Sequence, residues 1–472
     1  MSWNPEVLSS RKLRRDRDRR VDLHDNMRKA VGRRWFARLV EVIEEAYPES
    51  GMGRPRRHAS QTVAFMYVLA LAMGSQKEAE VYLATGNNWN AYRRALLAQF
   101  PDEPLLQAGA PSPTRSVIRH IKARLGSEEG AKLEAIMKAE SLVYAAEMGI
   151  GVNHGTMLMP SENAGMFGDG VVIRPMTKYK RGDMVQKERT GEWQQRRFDP
   201  DATFYVDGTG KRVYGNEFVQ MSARTGAANE VITFAIHPLR KGGTETEASI
   251  ALGMAKDVKT ALPGMAMIHY DKAIRGRTVE ELWDLQLMPM IGVYDKTGLT
   301  TAEVPLKRKP INGVSTQIVA YRGAVSIRAL DGSYIPLKAT KLTYQPNARD
   351  TYRVYCDYIV PDGANCDTRL WGGKVQLRLN STESTGVVYG EHVRAHAPNS
   401  PEWKLLYGNR SLAESVNSWM KNKLSRGERA RSLNQTHQWI DLMIMLMLRN
   451  DQSLTLYRRR TQLARTNAPP AA

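Results

Sequence analysis

Cysteine is almost absent: Cys356 and Cys366 are the two in 472 residues. That excludes a disulfide framework. Nine residues separate them, too many for the tight knuckle of a zinc site even with His392 and His396 added, so buried thiols are expected. Long apolar runs are missing too. The greasiest stretch, WIDLMIMLML from Trp439 to Leu448, is far short of the roughly 18 residues that a membrane-spanning helix needs. It reads as a buried helix, its methionines as packing material. The first twenty residues, MSWNPEVLSSRKLRRDRDRR, lack the apolar core of a secretion signal. No membrane association and an intracellular, cytoplasmic location are therefore expected. Negative charge is the other shortage, with 49 acidic against 68 basic residues and a formal net charge of +19. RKGGTE around Gly242 is too short for a phosphate loop and lacks its Gly-Lys-Thr order. No internal repeat is visible.

What is present is enough apolar content, 42%, for real cores, and a surface that should attract a polyanion, nucleic acid above all. Residues 1–150 read as a helical, basic DNA-binding region. It opens with Arg11, Lys12, Arg14, Arg15, Arg17, Arg19 and Arg20, a run that is often only a solvated arm. SQTVAFMYVLALAMG predicts a helix with Ser60 as its cap and Gly74 at its end. SPTRSVIRHIKARLG predicts another, capped by Ser112 with Pro113 in its first turn. Arg115, Arg119 and Lys122 recur on that helix at i, i+4 and i+7. They would suit a groove-entering helix, or equally a surface helix with a cationic face.

From about 160 the texture changes. GMFGDGVVIRP, EVITFAIHPL, GMAMIHYD and LMPMIGVYD read as strands, ETEASIALGMAKDVKTAL and GRTVEELWDLQ as helices. Strands alternating with helices predict an α/β layer over 160–299. Over 300–395 helical periodicity gives way to antiparallel β patterning, including DTYRVYCDYIVP and KVQLRLNSTESTGVVYG. In this β-rich insertion Trp371 would suit either a core position or stacking on a base. Helices resume over 396–455, and 456–472 reads as a frayed polar tail.

Two aspartates stand out by position, Asp169 inside a predicted strand and Asp271 at the end of another, where open α/β sheets display reactive groups. Asp207 is a rival for the first, yet its Asp-Gly pair suits a hairpin turn. A third carboxylate lies in YGNRSLAESVNSWMK. Taken as one helix, this stretch places Tyr407, Arg410, Glu414 and Lys421 within an arc of roughly 60°, with Leu412, Val416 and Trp419 opposite. The bland reading is a solvated face with one Arg–Glu pair. The sharper reading joins Asp169, Asp271 and Glu414 as oxygen ligands for Mg²⁺ or Mn²⁺, with the three polar neighbours holding phosphate. Two such ions about 4 Å apart serve phosphodiester chemistry.

The spacing Y-(2)-R-(3)-E-(6)-K, met by Tyr407, Arg410, Glu414 and Lys421, resembles the signature of DDE transposases of bacterial insertion sequences. GDGVVI is similar to the strand bearing that family's first aspartate, RFDPDATF to a segment that follows it, and MIHYDKAIRGRTVEELWDLQLMPMIGVYDK to the surroundings of the second. The likeness covers about residues 160–450. It implies an RNase H-like mixed sheet flanked by helices and interrupted by the β-rich insertion. It also implies Asp169, Asp271 and Glu414 as catalytic ligands for two Mg²⁺ or Mn²⁺ ions, and Tyr407, Arg410 and Lys421 as contacts to element-end DNA. Ile274 departs from the aromatic residue common three places after the second aspartate. The resemblance further implies binding to terminal inverted repeats, strand cleavage and strand transfer, a homodimer assembled on duplex DNA, and a bacterial, nucleoid-associated setting. A transposase-derived DNA-binding protein and an RNase H-like nuclease that does not join strands are the alternatives.

Overall fold

Alternation of short apolar strands with amphipathic helices produces a mixed α/β architecture. The computed structural model describes residues 23–47, 56–206, 210–227, 229–240, 242–293, 303–347, 351–382, 387–424 and 428–466. The Arg-rich run at 11–20 and Asp207 lie outside them.

Helices come first: α1 (23–31), α2 (Arg34–Ala46), α3 (Ser60–Met73), α4 (Gln76–Ala84), α5 (Asn88–Gln99), α6 (Ser116–Lys122) and α7 (Ser127–Glu147). Then follow β1 (Gly165–Ile173), β2 (Met184–Gln186), β3 (Trp193–Gln195), β4 (Thr203–Val206), β5 (Arg212–Arg224), β6 (Val231–Leu239), α8 (Glu247–Ala261), β7 (Met267–Tyr270), α9 (Arg277–Asp284) and β8 (Met288–Ile291). The insertion holds β9 (Val304–Ile311), β10 (Val314–Tyr321), β11 (Ala324–Arg328), β12 (Tyr334–Pro336), β13 (Lys338–Pro346), β14 (Tyr352–Ile359) and β15 (Lys374–Arg378). The chain closes with α10 (Tyr389–His392), α11 (Pro401–Tyr407), α12 (Ser411–Lys423) and α13 (Gln435–Thr466).

The main sheet has the order β4-β5-β1-β7-β8, with β6 also on β5. Its β1–β7 and β7–β8 pairs are parallel, its β4–β5 and β5–β6 pairs antiparallel. The insertion forms two antiparallel sheets, β12-β11-β10-β9 and β13-β14-β15. At the end of the stretch read as its last strand, Tyr389–His392 make one helical turn instead. Cys356 and Cys366 are buried free thiols. Trp371 keeps 38% exposure, with its indole N–H donating to the Ala364 carbonyl.

The chain divides into two compact units, one of residues 1–141, 172–216 and 419–472, the other of 142–171 and 217–418. In the first, α3 is buried from Ser60 to Leu71 and α13 from Trp439 to Leu448. Hydrophobic burial drives both inward, and no helix among the described residues is long and apolar enough to cross a membrane. Ser60 is the first helical residue of α3 rather than its cap; Ala59 holds that position. Neither does Ser112 cap α6, which starts four residues later, with Arg115 at the cap position. Glu80 takes the Arg115 N–H at 3.2 Å and lies 3.7 Å from its guanidinium, which fixes the start there.

The DPDA segment has a structural role in this unit. Asp199 accepts from Asn216 and Gln438, and Asp201 accepts the backbone N–H of Gln435 at 2.8 Å. A carboxylate thus meets the positive end of α13. The tail expected to fray from 456 continues α13 to Thr466, because its Arg, Gln and Leu residues are good helix formers.

Asp441 lies buried on α13, and its charge is matched by Lys122 at 2.7 and 2.9 Å, Tyr67 at 2.6 Å and Ser432 at 2.5 Å. Lys122 is therefore engaged inside the unit, while Arg115 and Arg119 are exposed. Removing one member of a buried ion pair strands the other charge, so Lys122→Met should lower unfolding free energy by about 3 kcal/mol or more in chemical denaturation. An unchanged midpoint would contradict this reading.

Candidate active site

The second unit collects the carboxylates. Parallel pairing sets Phe167 of β1 opposite His269 of β7. Continuing that register by two residues places Asp271, just past β7, opposite Asp169. The Asp271 carboxylate turns the chain by accepting the Ala273 N–H at 2.8 Å. At the head of α8, Thr246 and Ser249 form a reciprocal capping box, which fixes Glu247 as the first helical residue. One carboxylate oxygen each from Asp169, Glu247 and Asp271 lie within 4.8 Å of one another.

The glycines flanking Asp169 explain the motif GDG. A Cβ on Gly168 would come within 2.7 Å of the Tyr270 ring and 2.8 Å of the Gln220 carbonyl. One on Gly170 would meet the Glu247 carboxylate at 2.8 Å and that of Glu217 at 3.3 Å. Any side chain there would force the acids apart.

Acidic groups accumulate here, and each is partly buried. Burial and then Asp271 push Asp169 up to about 6; Arg410 opposes the shift, and Glu414 adds to it. Burial, followed by Asp271 and Asp169, lifts Glu217 to about 7. For Glu247 burial and Asp271 raise the value to about 8, against the Tyr270 hydroxyl that donates to it at 3.0 Å. A divalent cation would relieve this repulsion, and the donor set of hard oxygens suits Mg²⁺ or Mn²⁺. A further oxygen is to hand: Asn417 donates through Nδ2 to Asp169 at 2.8 Å, and its buried Oδ1 has no hydrogen-bond partner among the described residues.

The helix expected over 407–421 is broken. Tyr407 ends α11, residues Gly408–Arg410 form a 3-10 turn, and α12 begins at Ser411. Glycine's poor helix propensity accounts for an interruption that a continuous wheel overlooks. Ala413, Val416, Asn417 and Met420 form the buried back of α12, with Leu412 and Trp419 only half-buried. Arg410 reaches Glu414 at 2.9 Å, and Glu414 stays 60% exposed. Glu414 is thus close enough to act on Asp169 electrostatically, while Asn417 makes the contact. Tyr407 stacks on Trp403 with ring centroids 5.0 Å apart. Burial raises its phenol pKa, Arg410 opposes the shift, and Asp271 and Glu414 add to it. Lys421 follows on α12, half-buried. Ile274 is fully buried.

Sequence reasoning missed Glu247, Glu217 and Asn417. Glu247 resembles an ordinary acidic residue in a helix's first turn. Glu217 carried no clear signal, since Asn216, Gln220 and Ser222 keep the run from reading as apolar although every other residue from Asn216 to Ala223 is buried.

Raised acid pKa values link folding to pH. Below about pH 4 both states hold these protons. As pH climbs, the unfolded chain releases protons that the folded cluster retains, so stability falls from pH 4 towards 8. In EDTA the melting temperature should therefore be lower at pH 8 than at pH 5, and Glu247→Gln should flatten the decline. At pH 8, Mg²⁺ at a hundredfold excess over its Kd should raise the melting temperature by about 3–5 °C. A parent protein and variant with identical profiles would contradict this electrostatic description.

No protein-family model matches the chain, and no curated protein matches it. Among solved structures it is similar to the piggyBac transposase synaptic complex with hairpin DNA, at 8% identity and a TM-score of 0.39, over 94% of this chain and 82% of that one. A likeness this weak carries no argument about the present chain.

Proposed function

We propose that this protein is a DNA transposase of the bacterial insertion-sequence DDE type, with the mixed sheet as an RNase H-like catalytic core and Asp169 and Asp271 as its central ligands. The observation that carries the reading is the convergence of Asp169, Asp271 and Glu247 within 4.8 Å on the sheet and the head of α8. Tyr407 at the end of α11, Arg410 in the 3-10 turn, and Glu414 and Lys421 on α12 follow in the family spacing.

Asp169 and Asp271 would hold Mg²⁺ or Mn²⁺ together with Glu414, and Glu247 and the free oxygen of Asn417 stand beside them. Bound there, divalent cations supply the charge that activates water or a 3′-hydroxyl and stabilises the leaving oxygen of a phosphodiester. The chain's own groups do the rest. Arg410 can exchange Glu414 for a phosphate, to which its guanidinium binds bidentately. Tyr407 stays protonated at neutral pH and can donate to a second phosphate oxygen. Asn417 orients Asp169 through its amide. In this reading the helical N-terminal region, with Arg115 and Arg119, recognises terminal inverted repeats, and two copies assemble on duplex DNA.

The test is incubation with Mg²⁺ and duplexes made from the DNA flanking the coding sequence. Nicks leaving 3′-hydroxyl ends, followed by products joined to a second duplex, are expected. Cleavage without joining would make it a nuclease, and binding with no nicking would leave only a DNA-binding protein.

A further inference from the structure

A second charged feature lies in the first unit and has the opposite sign. A cleft of about 210 Å³ is lined by nine residues, six of them cations, namely Arg174, Lys178, Lys180, Lys211, Arg212 and Arg429, and none acidic. Lys and Arg make up 68 of 472 residues, so six among nine is a concentration and not the background charge of the chain.

The backbone holds these charges together. Arg174 and Arg429 are paired in a parallel bridge, with the Ala430 N–H donating to the Arg174 carbonyl at 2.8 Å. Aromatic faces orient others: Lys180 lies 4.6 Å from the centre of the Phe204 ring and Arg212 5.3 Å from it. Two acids act on Tyr214 in the lining, Asp199 and Asp183. Asp199 is engaged by Asn216 and Gln438, and Asp183 accepts the Lys180 N–H. Like charges fixed side by side repel unless an anion joins them. The cleft's volume equals several waters at about 30 Å³ each, which suits successive phosphates better than one small ion.

The same segment carries the β2–β3 ribbon, exposed along nearly its whole length, with Met184 at 48% and Trp193 at 65% exposure. A two-stranded ribbon of this kind fits the major groove of a duplex.

We propose that residues 174–206 and 210–214 with Arg429 form a docking surface for duplex DNA, the cleft holding backbone phosphates and the ribbon lying in the adjacent groove. This rests on the DNA-handling function proposed above. Its test is a fluorescence titration of a labelled duplex in EDTA across a range of salt concentrations, with chemistry silent. Parent protein is compared with Lys178→Gln/Lys211→Gln and with a control pair in the insertion, Lys341→Gln/Lys374→Gln; all four side chains are exposed, so folding should survive. The cleft variant should bind more weakly on every sequence, with a salt slope smaller by about 2. An unchanged slope, an equal change in the control pair, or a loss confined to single-stranded RNA would overturn the proposal. A changed slope in a protein that never nicks DNA would sink the transposase reading and leave the docking surface standing.

Discussion

Asp271→Asn should reduce Mg²⁺-dependent DNA cleavage by at least a hundredfold while leaving duplex affinity in EDTA within about twofold, and Asp169→Asn should behave the same way. Loss of even an indirect partner of a metal ligand costs about 10–100-fold, and these two carboxylates are the ones shared by every plausible ligand set at the site. Asp169 lies on β1 and Asp271 just past the adjacent parallel strand β7, opposite each other when the register is continued by two residues. The substitutions keep shape and remove charge, so repulsion within the cluster falls, and in EDTA at pH 8 each variant should melt higher than the parent. That pairing of outcomes matters, because a misfolded variant would lose activity and stability together. Cleavage that persists in either variant would remove the cluster from the chemistry.

The second large effect separates Glu414 from Glu247. Glu414 has the family spacing yet is exposed and paired with Arg410; Glu247 has no place in that spacing yet lies among the aspartates. If Glu414 completes the ligand set when DNA and Mg²⁺ are present, Glu414→Gln should abolish cleavage by the same hundredfold or more. Glu247→Gln should then retain cleavage within about tenfold and bind Mn²⁺ in the absence of DNA more weakly than the parent. The reverse pattern, with Glu247→Gln inactive and Glu414→Gln active, would make Glu247 the third ligand and Glu414 a surface partner of Arg410. The measurement is single-turnover cleavage of one duplex by each variant.

The difference between these two glutamates also marks how far the sequence can be read. Asp169 and Asp271 were legible because strand patterning is local: GMFGDGVVI and GMAMIHYD announce buried strands, and both occur as strands. The β patterning of the insertion was legible for the same reason, in stretches that hold strands such as β14 and β15, although the individual strands were not separated. Glu247 was not, since its position depends on how α8 meets the sheet, and nothing in ETEASIALG distinguishes a cluster member from a helix-dipole partner. The glycines of GDG carry that tertiary information, but only once their neighbours Tyr270, Glu217 and Glu247 are in place. Lys122 shows the converse. Its spacing with Arg115 and Arg119 looked like a phosphate-binding face, whereas a buried Asp441, more than 300 residues on, claims it. Helical periodicity reports a face and not what covers it.

The most direct measurement replaces the leaving 3′-oxygen at the mapped cleavage position with sulfur. Mg²⁺ prefers oxygen and Mn²⁺ tolerates the softer atom. A metal held by Asp169 and Asp271 against that atom predicts that cleavage of the sulfur duplex is lost in Mg²⁺ and restored in Mn²⁺, in the parent protein alone. Equal cleavage of the oxygen and sulfur duplexes in Mg²⁺, or restoration in Asp271→Asn as complete as in the parent, would contradict it.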